Sequence, residues 1–492
     1  MGHGVPLLTC LVLAFASAWT IRAAAQTAVL LEAGDAELRS DLRWLADRGV
    51  IDVSASAWPL PLQAIREALA SRKTQALSSA DEDALASVER FVRRQSGLAY
   101  GVRADANTGA FPQMDFQRQA RAEGMLGIYA QHATGALAGR LQANALSEPL
   151  TESQDEANLE SSYLAANIGG QILYAGQLAH FWGPGNNGSL IWGNAATAIP
   201  GLGLKRATER PFETKWLSWI GPWSYELFVG EMLNYTAVPH TKIAAVRFSA
   251  RPFEGFEIAG SLLEQWGGDG FDNSLDGLFT RPHSKDPNQP TNVLVSWELR
   301  YTSRYFANPI TAYIQNAKED SAGSQPSKSI VLLGAEFKHA LQRARLQWYA
   351  EAADTMSQRA FGIQEHLPDH SYTHHVYTGG LYHDGLPIGH PIGGDGEIYS
   401  AGVHVVPTYS KYSVRYGARG FSAEVNPSNQ PINQAFPRHA KLLGGELSGS
   451  VSLKWLYLRA ALAWLHDRNS GEDDFSALLT LELPLERLAG PH

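Results

Sequence analysis

The feature that most constrains this chain is an alternation of apolar and polar residues with a period of two, which recurs from about residue 97 to residue 483. In the clearest run, Val295, Trp297 and Tyr301 share one face, whereas Glu298 and Arg300 share the other. Successive side chains of a β-strand point to opposite faces. The pattern therefore predicts many strands that each have one apolar and one polar face.

Such strands either bury the apolar face against a second sheet or turn it toward lipid. Trp and Tyr recur at the strand ends, as an interfacial girdle requires, and Arg and Glu lie well inside the polar runs, as a wet lumen allows. The residues after position 97, at roughly 22 per strand and turn, give about 18 strands. We therefore predict an all-β transmembrane barrel of about 18 antiparallel strands over residues 97–492. A soluble β-helix or propeller is the alternative, but no fixed repeat supports it.

Composition excludes several other classes of protein. The chain has 40 Lys and Arg against 49 Asp and Glu, whereas nucleic-acid binders are usually basic, so we expect no nucleic-acid partner. Its 13 Trp, 18 Tyr and 18 Phe are not the composition of a disordered chain. A bundle of membrane-spanning helices needs repeated apolar runs of roughly 20 residues, and only the N-terminus carries an apolar run of any length.

That N-terminal run, residues 5–21, is typical of a secretory signal peptide. Three alanines precede Gln26 and suit a cleavage site, and residues 16–18 are a rival site. We expect residues 1–25 to be a signal peptide, which would remove Cys10, the single cysteine, from the mature chain. A single membrane anchor is the alternative.

Residues 26–96 show helical rather than strand periodicity. Leu38 and Leu42 begin one apolar stripe, Pro61 stands where a second helix could start, and residues 79–82 carry a capping-box pattern for a third. Three short helices could not bury a core of their own. The sequence therefore predicts a small N-terminal helical bundle that packs on the barrel.

One candidate binding segment combines aromatic residues with amides, and it contains Trp182, Asn186, Asn187 and Trp192. Its glycines and asparagines suit a turn with positive φ, and aromatic faces beside amides can hold the apolar face and the hydroxyls of a sugar. A structural loop folded over the strands is the alternative. The segment also matches GxGxxG at 183–188, but no helical stripe follows, so it does not predict a dinucleotide site.

A second candidate is a pair of cations, Arg206 and Arg210, which would attract the acidic groups of a polymer if they faced the lumen. An ion-pair network with Glu213 that stiffens the barrel is the alternative.

A third group of candidates lies in two later loops. Trp266 stands where a strand enters a Gly-rich loop, whose Asp residues do not have the spacing of a known calcium loop. Tyr372, Tyr377 and Tyr382 lie in a His-rich stretch, which indicates an external loop able to touch polymer. Its six histidines between residues 366 and 390 are irregularly spaced, so we expect neither a metal nor a cofactor.

The order of several motifs along the chain resembles the capsule-assembly Wzi family. The matching segments are 42–51, 58–61, 65–69, 182–190, 210–213, 217–223, 265–268, 351–355 and 377–390. The resemblance covers nearly the whole mature chain.

The resemblance implies an outer-membrane barrel whose N-terminal helical bundle, residues 26–96, closes the periplasmic end as a plug. It also implies a lectin-like role in holding capsular or extracellular polysaccharide at the cell surface, outside the export machinery, without enzymatic activity. We expect a monomer whose partners are surface polysaccharide and outer-membrane lipid, linked to export only indirectly. A diffusion channel for sugars or anions is the alternative, and an outer-membrane hydrolase is a third possibility.

Overall fold

The computed structural model describes residues 26–109, 115–118, 120–274, 290–306, 308–319, 329–408 and 412–487. The expected signal peptide and its cleavage site lie outside the described residues.

Antiparallel strands close into one barrel. The closed ring contains nineteen strand segments, of which two short ones both pair with the same neighbour and form one broken strand, so the described barrel has eighteen strands. In chain order they are β1 (Gly97–Asn107), β2 (Ala122–Thr134), β3 (Leu137–Pro149), β4 (Ala157–Asn158 and Tyr163–Ile168), β5 (Gln171–Gly176), β6 (Gly201–Arg206), β7 (Trp223–Glu231), β8 (Lys242–Ala250), β9 (Phe256–Trp266), β10 (Thr291–Ser303), β11 (Ile310–Glu319), β12 (Ser329–Ala340), β13 (Ala344–Asp354), β14 (Glu397–Pro407), β15 (Ser413–Val425), β16 (Ala440–Ser452), β17 (Tyr457–Asp467) and β18 (Asp473–Pro484). The predicted fold class and strand number are confirmed.

The barrel closes where β18 pairs with β1, in a register that runs from Leu478 opposite Asn107 to Pro484 opposite Gly101. Every strand of the ring therefore has a neighbour on both sides, which removes the exposed edges that an open sheet would present.

Strand β10 shows why these residues form a barrel. Its outward side chains Val295, Trp297 and Tyr301 are exposed, whereas Glu298 and Arg300 on the inward face are 2% and 9% exposed. A soluble protein would bury the apolar face, but here the apolar face is the outer one, as lipid contact requires.

The two ends of the barrel differ. Most connections at one end are short turns, with residues 207–222 as the exception, and most connections at the other end are longer loops, with residues 468–472 as the exception. We call these the short-turn end and the long-loop end. Exposed aromatic side chains lie around the short-turn end, as in an interfacial girdle. They include Trp216, Trp219, Phe253, Tyr305, Phe306, Tyr412 and Trp455.

Three helices precede the barrel: α1 (Ala36–Asp47), α2 (Leu62–Ala70) and α3 (Ser79–Arg93). Helix α2 begins directly after Pro61, as predicted. The capping box of α3 is formed by Ser78 and Asp81, one residue earlier than expected. The Ser78 hydroxyl accepts the Asp81 N–H. In the ranges that the structure describes, no helix has the length and hydrophobicity needed to cross a membrane.

The helices lie in the lumen at the short-turn end, where we refer to residues 26–96 as the plug. Leu42, Trp44 and Leu45 of α1 are fully buried in a core that also includes Trp58 and Phe181. The core of this protein therefore sits inside the barrel, between the plug and the loops that reach it from the opposite end.

Candidate functional site

Two loops of the long-loop end fold into the lumen instead of projecting from it. We call residues 177–200 the inner loop and residues 355–396 the cap loop. Within the inner loop, Phe181 and Trp182 pair in antiparallel fashion with Ala57 and Trp58 of the plug. The inner loop and the plug therefore meet inside the barrel.

The tight turn of the inner loop is held by one carboxylate of the barrel wall. Glu351 on β13 accepts the backbone N–H groups of Asn186 and Asn187 at 2.6 and 2.8 Å. It also accepts the Tyr313 hydroxyl at 2.7 Å. Glu351 therefore fixes the position of the turn through hydrogen bonds to its backbone, which charge strengthens.

The glycines of this turn are required by close packing rather than by positive φ, so the predicted reason for them is wrong. Neither Gly185 nor Gly188 has a positive φ. A Cβ at Gly185 would lie 2.2 Å from the Gly188 carbonyl oxygen, and a Cβ at Gly188 would lie 2.5 Å from the His390 ring. A larger residue at either position would displace the turn.

The two tryptophans of the inner loop form a packed aromatic cluster, not an open platform. Trp182 and Trp192 are 0% and 4% exposed, and their rings meet edge to face at 5.1 Å. His180 stacks on Trp192 at 4.1 Å, and the Trp182 indole donates to Glu226 at 3.2 Å. The accessible sugar platform predicted here is therefore not what the structure presents, because both faces are covered by protein.

The three candidate tyrosines of the cap loop are also buried, which corrects their expected exposure. The Tyr372 hydroxyl donates to the Leu190 carbonyl at 2.7 Å, so it ties the cap loop to the inner loop. Tyr377 donates to the Gly267 carbonyl at 3.1 Å, and the Tyr382 hydroxyl accepts the Gly394 N–H at 2.9 Å. Burial raises the pKa of Tyr372 and Tyr382, so these hydroxyls stay protonated and keep their bonds.

Trp266 and two of the cap-loop histidines, His383 and His390, are buried as well. Trp266 is 1% exposed at the end of β9. Burial lowers the pKa of His390 to about 3, so this residue is neutral. His366 lies 3.2 Å from Asp395, and His383 contacts the Thr197 carbonyl at 2.8 Å. Among the described residues, no group of three or more His, Cys, Asp or Glu is arranged to hold a metal ion.

The predicted cations Arg206 and Arg210 lie at the short-turn end, not beside the other candidates. Arg210 forms a two-pronged pair with Glu67 of α2 at 2.7 and 2.9 Å. Arg206 donates to the Trp223 carbonyl at 2.8 Å and lies 3.9 Å above the Trp223 ring. Arg210 braces the plug, and Arg206 braces the connection 207–222. The ion-pair alternative therefore describes Arg210 better, with Glu67 in place of Glu213.

The plug is held by buried ion pairs that we did not predict. Asp47 at the end of α1 receives two bonds of 2.8 Å from Arg300, and it pairs with Lys338 and Thr302 as well. Burial alone would raise the pKa of Asp47, but Arg300 and Lys338 outweigh it and hold the pKa below its usual range. A charge this deeply buried persists only when partners of opposite sign surround it.

Asp41, which precedes Asp47 on α1, repeats the arrangement. It contacts Arg345 and Arg415 at 2.7 Å. Arg43 of the same helix pairs with Glu336 at 2.6 Å. One signal in the sequence could have revealed these pairs. Helix α1 carries several charged residues, and the polar faces of the strands carry charges too, so the two sets could have been expected to meet. The sequence does not say which charge meets which.

The accessible surface of the long-loop end is polar where the described loops meet. Asn234 donates to the Ser153 carbonyl and to the carboxylates of Asp155 and Asp384 at 3.1–3.4 Å. Gln434 donates to the Ser153 hydroxyl at 2.7 Å. Because Asn234 and Asp155 are exposed, amides and carboxylates are available there for hydrogen bonds to sugar hydroxyls.

Comparison with known proteins places these features in a known group. The family model described as capsule assembly protein Wzi matches residues 95–406. A 55.8 kDa protein in the cps region of Klebsiella pneumoniae is 33% identical over 464 residues, which is 92% of this chain and 89% of that protein. The structure of Escherichia coli Wzi, described as an outer membrane protein involved in group 1 capsule assembly and a carbohydrate-binding β-barrel, superposes with a TM-score of 0.83. It is 32% identical and covers 92% of this chain and 99% of its own.

Proposed function

This chain belongs to the capsule assembly protein Wzi family, and we propose that it binds capsular or extracellular polysaccharide and retains it at the cell surface. The protein is an outer-membrane β-barrel. The observation that carries the proposal is its close structural match, at a TM-score of 0.83, to a family member described as a carbohydrate-binding barrel.

We place the polysaccharide contact on the polar surface of the long-loop end, around Asn234. Outer-membrane barrels have short periplasmic turns and longer extracellular loops, so this surface faces outward and the plug lies at the periplasmic end. Side chains that already share hydrogen bonds across loops, such as Asn234 with Asp155, hold a fixed arrangement for a flexible polymer to meet.

The candidate residues beneath that surface act, in this proposal, by positioning the loops. Trp182, Asn186, Asn187, Trp192, Trp266, Tyr372, Tyr377 and Tyr382 form this buried layer. Its bonds to Glu351 and to the Leu190 carbonyl keep the inner and cap loops in one shape. Arg206 and Arg210 act at a distance from the glycan, because Arg210 braces the plug and Arg206 braces the connection 207–222.

A diffusion channel is less well supported by the same structure. The plug, the inner loop and the cap loop all occupy the lumen, and buried pairs such as Asp47 with Arg300 hold the plug to the wall. Bilayer conductance of the purified protein should be absent or small. Appreciable open-channel current would favour the channel instead.

The whole-cell test compares a strain that lacks the gene with the same strain carrying it on a plasmid. Cell-bound and shed polysaccharide are separated by gentle centrifugation and measured by sugar analysis. The proposal predicts that deletion moves polysaccharide from the cells to the medium with the total unchanged, and that the plasmid restores it. An unchanged partition would overturn the proposal, and a fallen total would indicate a role in synthesis or export.

We further propose that binding leaves the polysaccharide chemically intact. The carboxylate Glu351, a residue that could have served in hydrolysis, is buried and occupied by two backbone N–H groups and a tyrosine hydroxyl. Incubation of the purified protein with its host polysaccharide should leave the chain length unchanged by size-exclusion chromatography. Shortened chains would support the hydrolase.

A further inference from the structure

A deep cavity lies between the plug and one side of the barrel, and it opens toward the short-turn end. Its volume is about 730 Å³, within the range of roughly 300–1,000 Å³ that small-molecule sites occupy. The plug residues Leu30 and Asp35 line one side, and Tyr129, Gln131 and Tyr457 of the wall line the other. The cavity is far from the polar loop surface where we place the polysaccharide.

The mouth of the cavity is cationic. Arg90 and Arg94 project from the last turns of α3, Lys454 comes from the turn between β16 and β17, and Arg487 follows β18. Glu486 at the rim pairs with Arg487. Among the described residues, Arg90, Arg94 and Lys454 have no carboxylate partner in an ion pair.

The pKa of Arg94 is consistent with that surplus of positive charge. Partial burial lowers it first, and the neighbouring guanidinium groups of Arg487, Arg90 and Arg93 lower it further. An incoming anion would relieve this repulsion, because like charges at short range disfavour the charged form and an opposite charge favours it.

Deeper in the cavity, most charges already have partners. Arg103 pairs with Asp105 at 2.9 Å, and Arg118 pairs with Glu32. Arg140 is different: it donates to Gln142 at 2.6 Å and lies 4.3 Å above the Tyr129 ring, and its buried Nε has no partner among the described residues. Glu482 also lines the cavity and accepts the Tyr129 hydroxyl at 3.1 Å. The interior therefore sets one carboxylate against Arg140, beside hydroxyl, amide and aromatic groups.

We propose that this cavity is a second saccharide site, which takes an anionic oligosaccharide from the short-turn side. Arg90 and Arg94 would hold its carboxylate or phosphate groups, since guanidinium forms two parallel bonds to such groups. The hydroxyl and amide groups of Tyr129, Gln131 and Tyr457 would meet its sugar hydroxyls. The cationic mouth would also speed the approach of an anionic ligand. The site is separate from the outer surface of the proposed function, so either can fail without the other.

The test uses the full-length barrel in detergent, with trigalacturonate as the anionic probe, maltotriose as the neutral probe of equal length, and inorganic phosphate as the bare anion. Binding is measured by isothermal titration calorimetry for the wild type, for R90Q/R94Q and for R93Q. Arg93 is the matched control, because it lies on the same helix, is exposed and does not line the cavity. Heat-modifiable mobility on gels verifies that each barrel is folded.

Trigalacturonate should bind the wild type and R93Q with equal affinity within about twofold, and R90Q/R94Q about tenfold or more weakly. Maltotriose should bind the wild type at least about tenfold more weakly than trigalacturonate. Equal binding of trigalacturonate to all three proteins, or none to any, would overturn the site. Phosphate as tight as trigalacturonate would overturn the saccharide assignment.

The same variants separate this inference from the proposed function. R90Q/R94Q should retain surface polysaccharide normally in the whole-cell partition, because the outer loops are unchanged. Trigalacturonate binding as predicted, together with an unchanged partition in the deletion strain, would contradict the proposed function alone.

Discussion

The wall of the lumen has two sides, and the inward-facing charges of the two sides find their ion-pair partners in different places. On the packed face, β10 to β13, inward charges reach across to the plug, as Arg300 does to Asp47 and Arg345 to Asp41. On the cavity face, β1 to β3 and β16 to β18, inward charges pair within the wall. Arg103 there binds Asp105 two residues along the same strand.

The difference shows what keeps the plug against one side of the barrel. A wall that satisfies its own charges offers the plug no ion-pair partner. Single hydrogen bonds remain there, such as that from the Ser450 hydroxyl to Glu37, and space is left for the cavity. A wall whose charges are incomplete without the plug binds it strongly, because leaving buried charges unpaired is costly. The plug therefore lies against the wall whose charges need it as a partner, and α1 packs on that wall.

The largest effect should come from breaking the packed face. Asp47→Ala leaves the buried cations Arg300 and Lys338 with Glu336 alone, which Arg43 also contacts. The uncompensated positive charge should cost about 3–5 kcal/mol of plug docking. Hydrogen exchange of Ala36–Asp47 should become faster, and bilayer conductance should rise.

The matched control is Asp105→Ala on the cavity face, whose partners are Arg103 and Thr480 of the wall. It should leave the exchange of α1 unchanged. Equal effects of the two variants would contradict the distinction between the faces.

A second effect concerns the loops that the packed face carries. Glu351→Gln replaces a carboxylate that accepts two N–H groups with an amide of weaker acceptor strength, which should cost about 2 kcal/mol. The inner loop should become more sensitive to protease, and surface retention of polysaccharide should fall. Glu365→Gln, at an exposed cap-loop carboxylate, is the control. Normal retention of polysaccharide by a variant whose inner loop is more sensitive to protease would contradict the proposed role of Glu351 in positioning that loop.

The third prediction uses pH and the cavity side of α1. Burial raises the pKa of Asp35 to about 6, so the docked plug keeps this proton at pH values where the free plug has lost it. Docking should therefore weaken as the pH rises from about 4 to about 6 and stay constant above. The full shift corresponds to about 3 kcal/mol, and partial exposure of the carboxyl reduces the effect to roughly 1–2 kcal/mol. Asp35→Asn keeps an N-cap and should abolish the slope. The strength of docking is measured by the protection of α1 from hydrogen exchange, corrected for intrinsic rates. Protection that increases with pH would contradict the role given to Asp35.

The smallest effect should come from the exposed brace at the short-turn end. Arg210 is 70% exposed on its side chain where it pairs with Glu67, so Arg210→Gln should cost at most about 1 kcal/mol of plug docking. The effect should shrink further in high salt. A loss as large as that of Asp47→Ala would mean that exposed pairs, and not the buried face, hold the plug.

Local patterns were sufficient to predict most of the fold. The alternation of Trp297 and Glu298 correctly predicted which side of β10 faces outward, because the two-residue period of a strand depends only on neighbouring residues. Pro61 marked the start of α2 for the same local reason. The closure of the ring followed from the strand number and from the need to leave no edge.

The site was predicted less well, because it depends on contacts between distant residues. Asn186 meets Glu351 across 165 positions, and Tyr372 meets Leu190 across 182. A Tyr- and Gly-rich segment has the same composition whether it projects outward or folds inward. Only the fold reveals that Tyr372 is buried. Arg210 lies at the short-turn end because the connection 207–222 carries it there.

Hydrogen exchange of the purified protein can map where the host polysaccharide binds. Exchange should become slower in loops 150–162 and 232–241 and in the cap loop when the polysaccharide is added, and α1 should stay unchanged. Unchanged exchange in all of these loops at saturating polysaccharide would contradict the proposed polysaccharide contact.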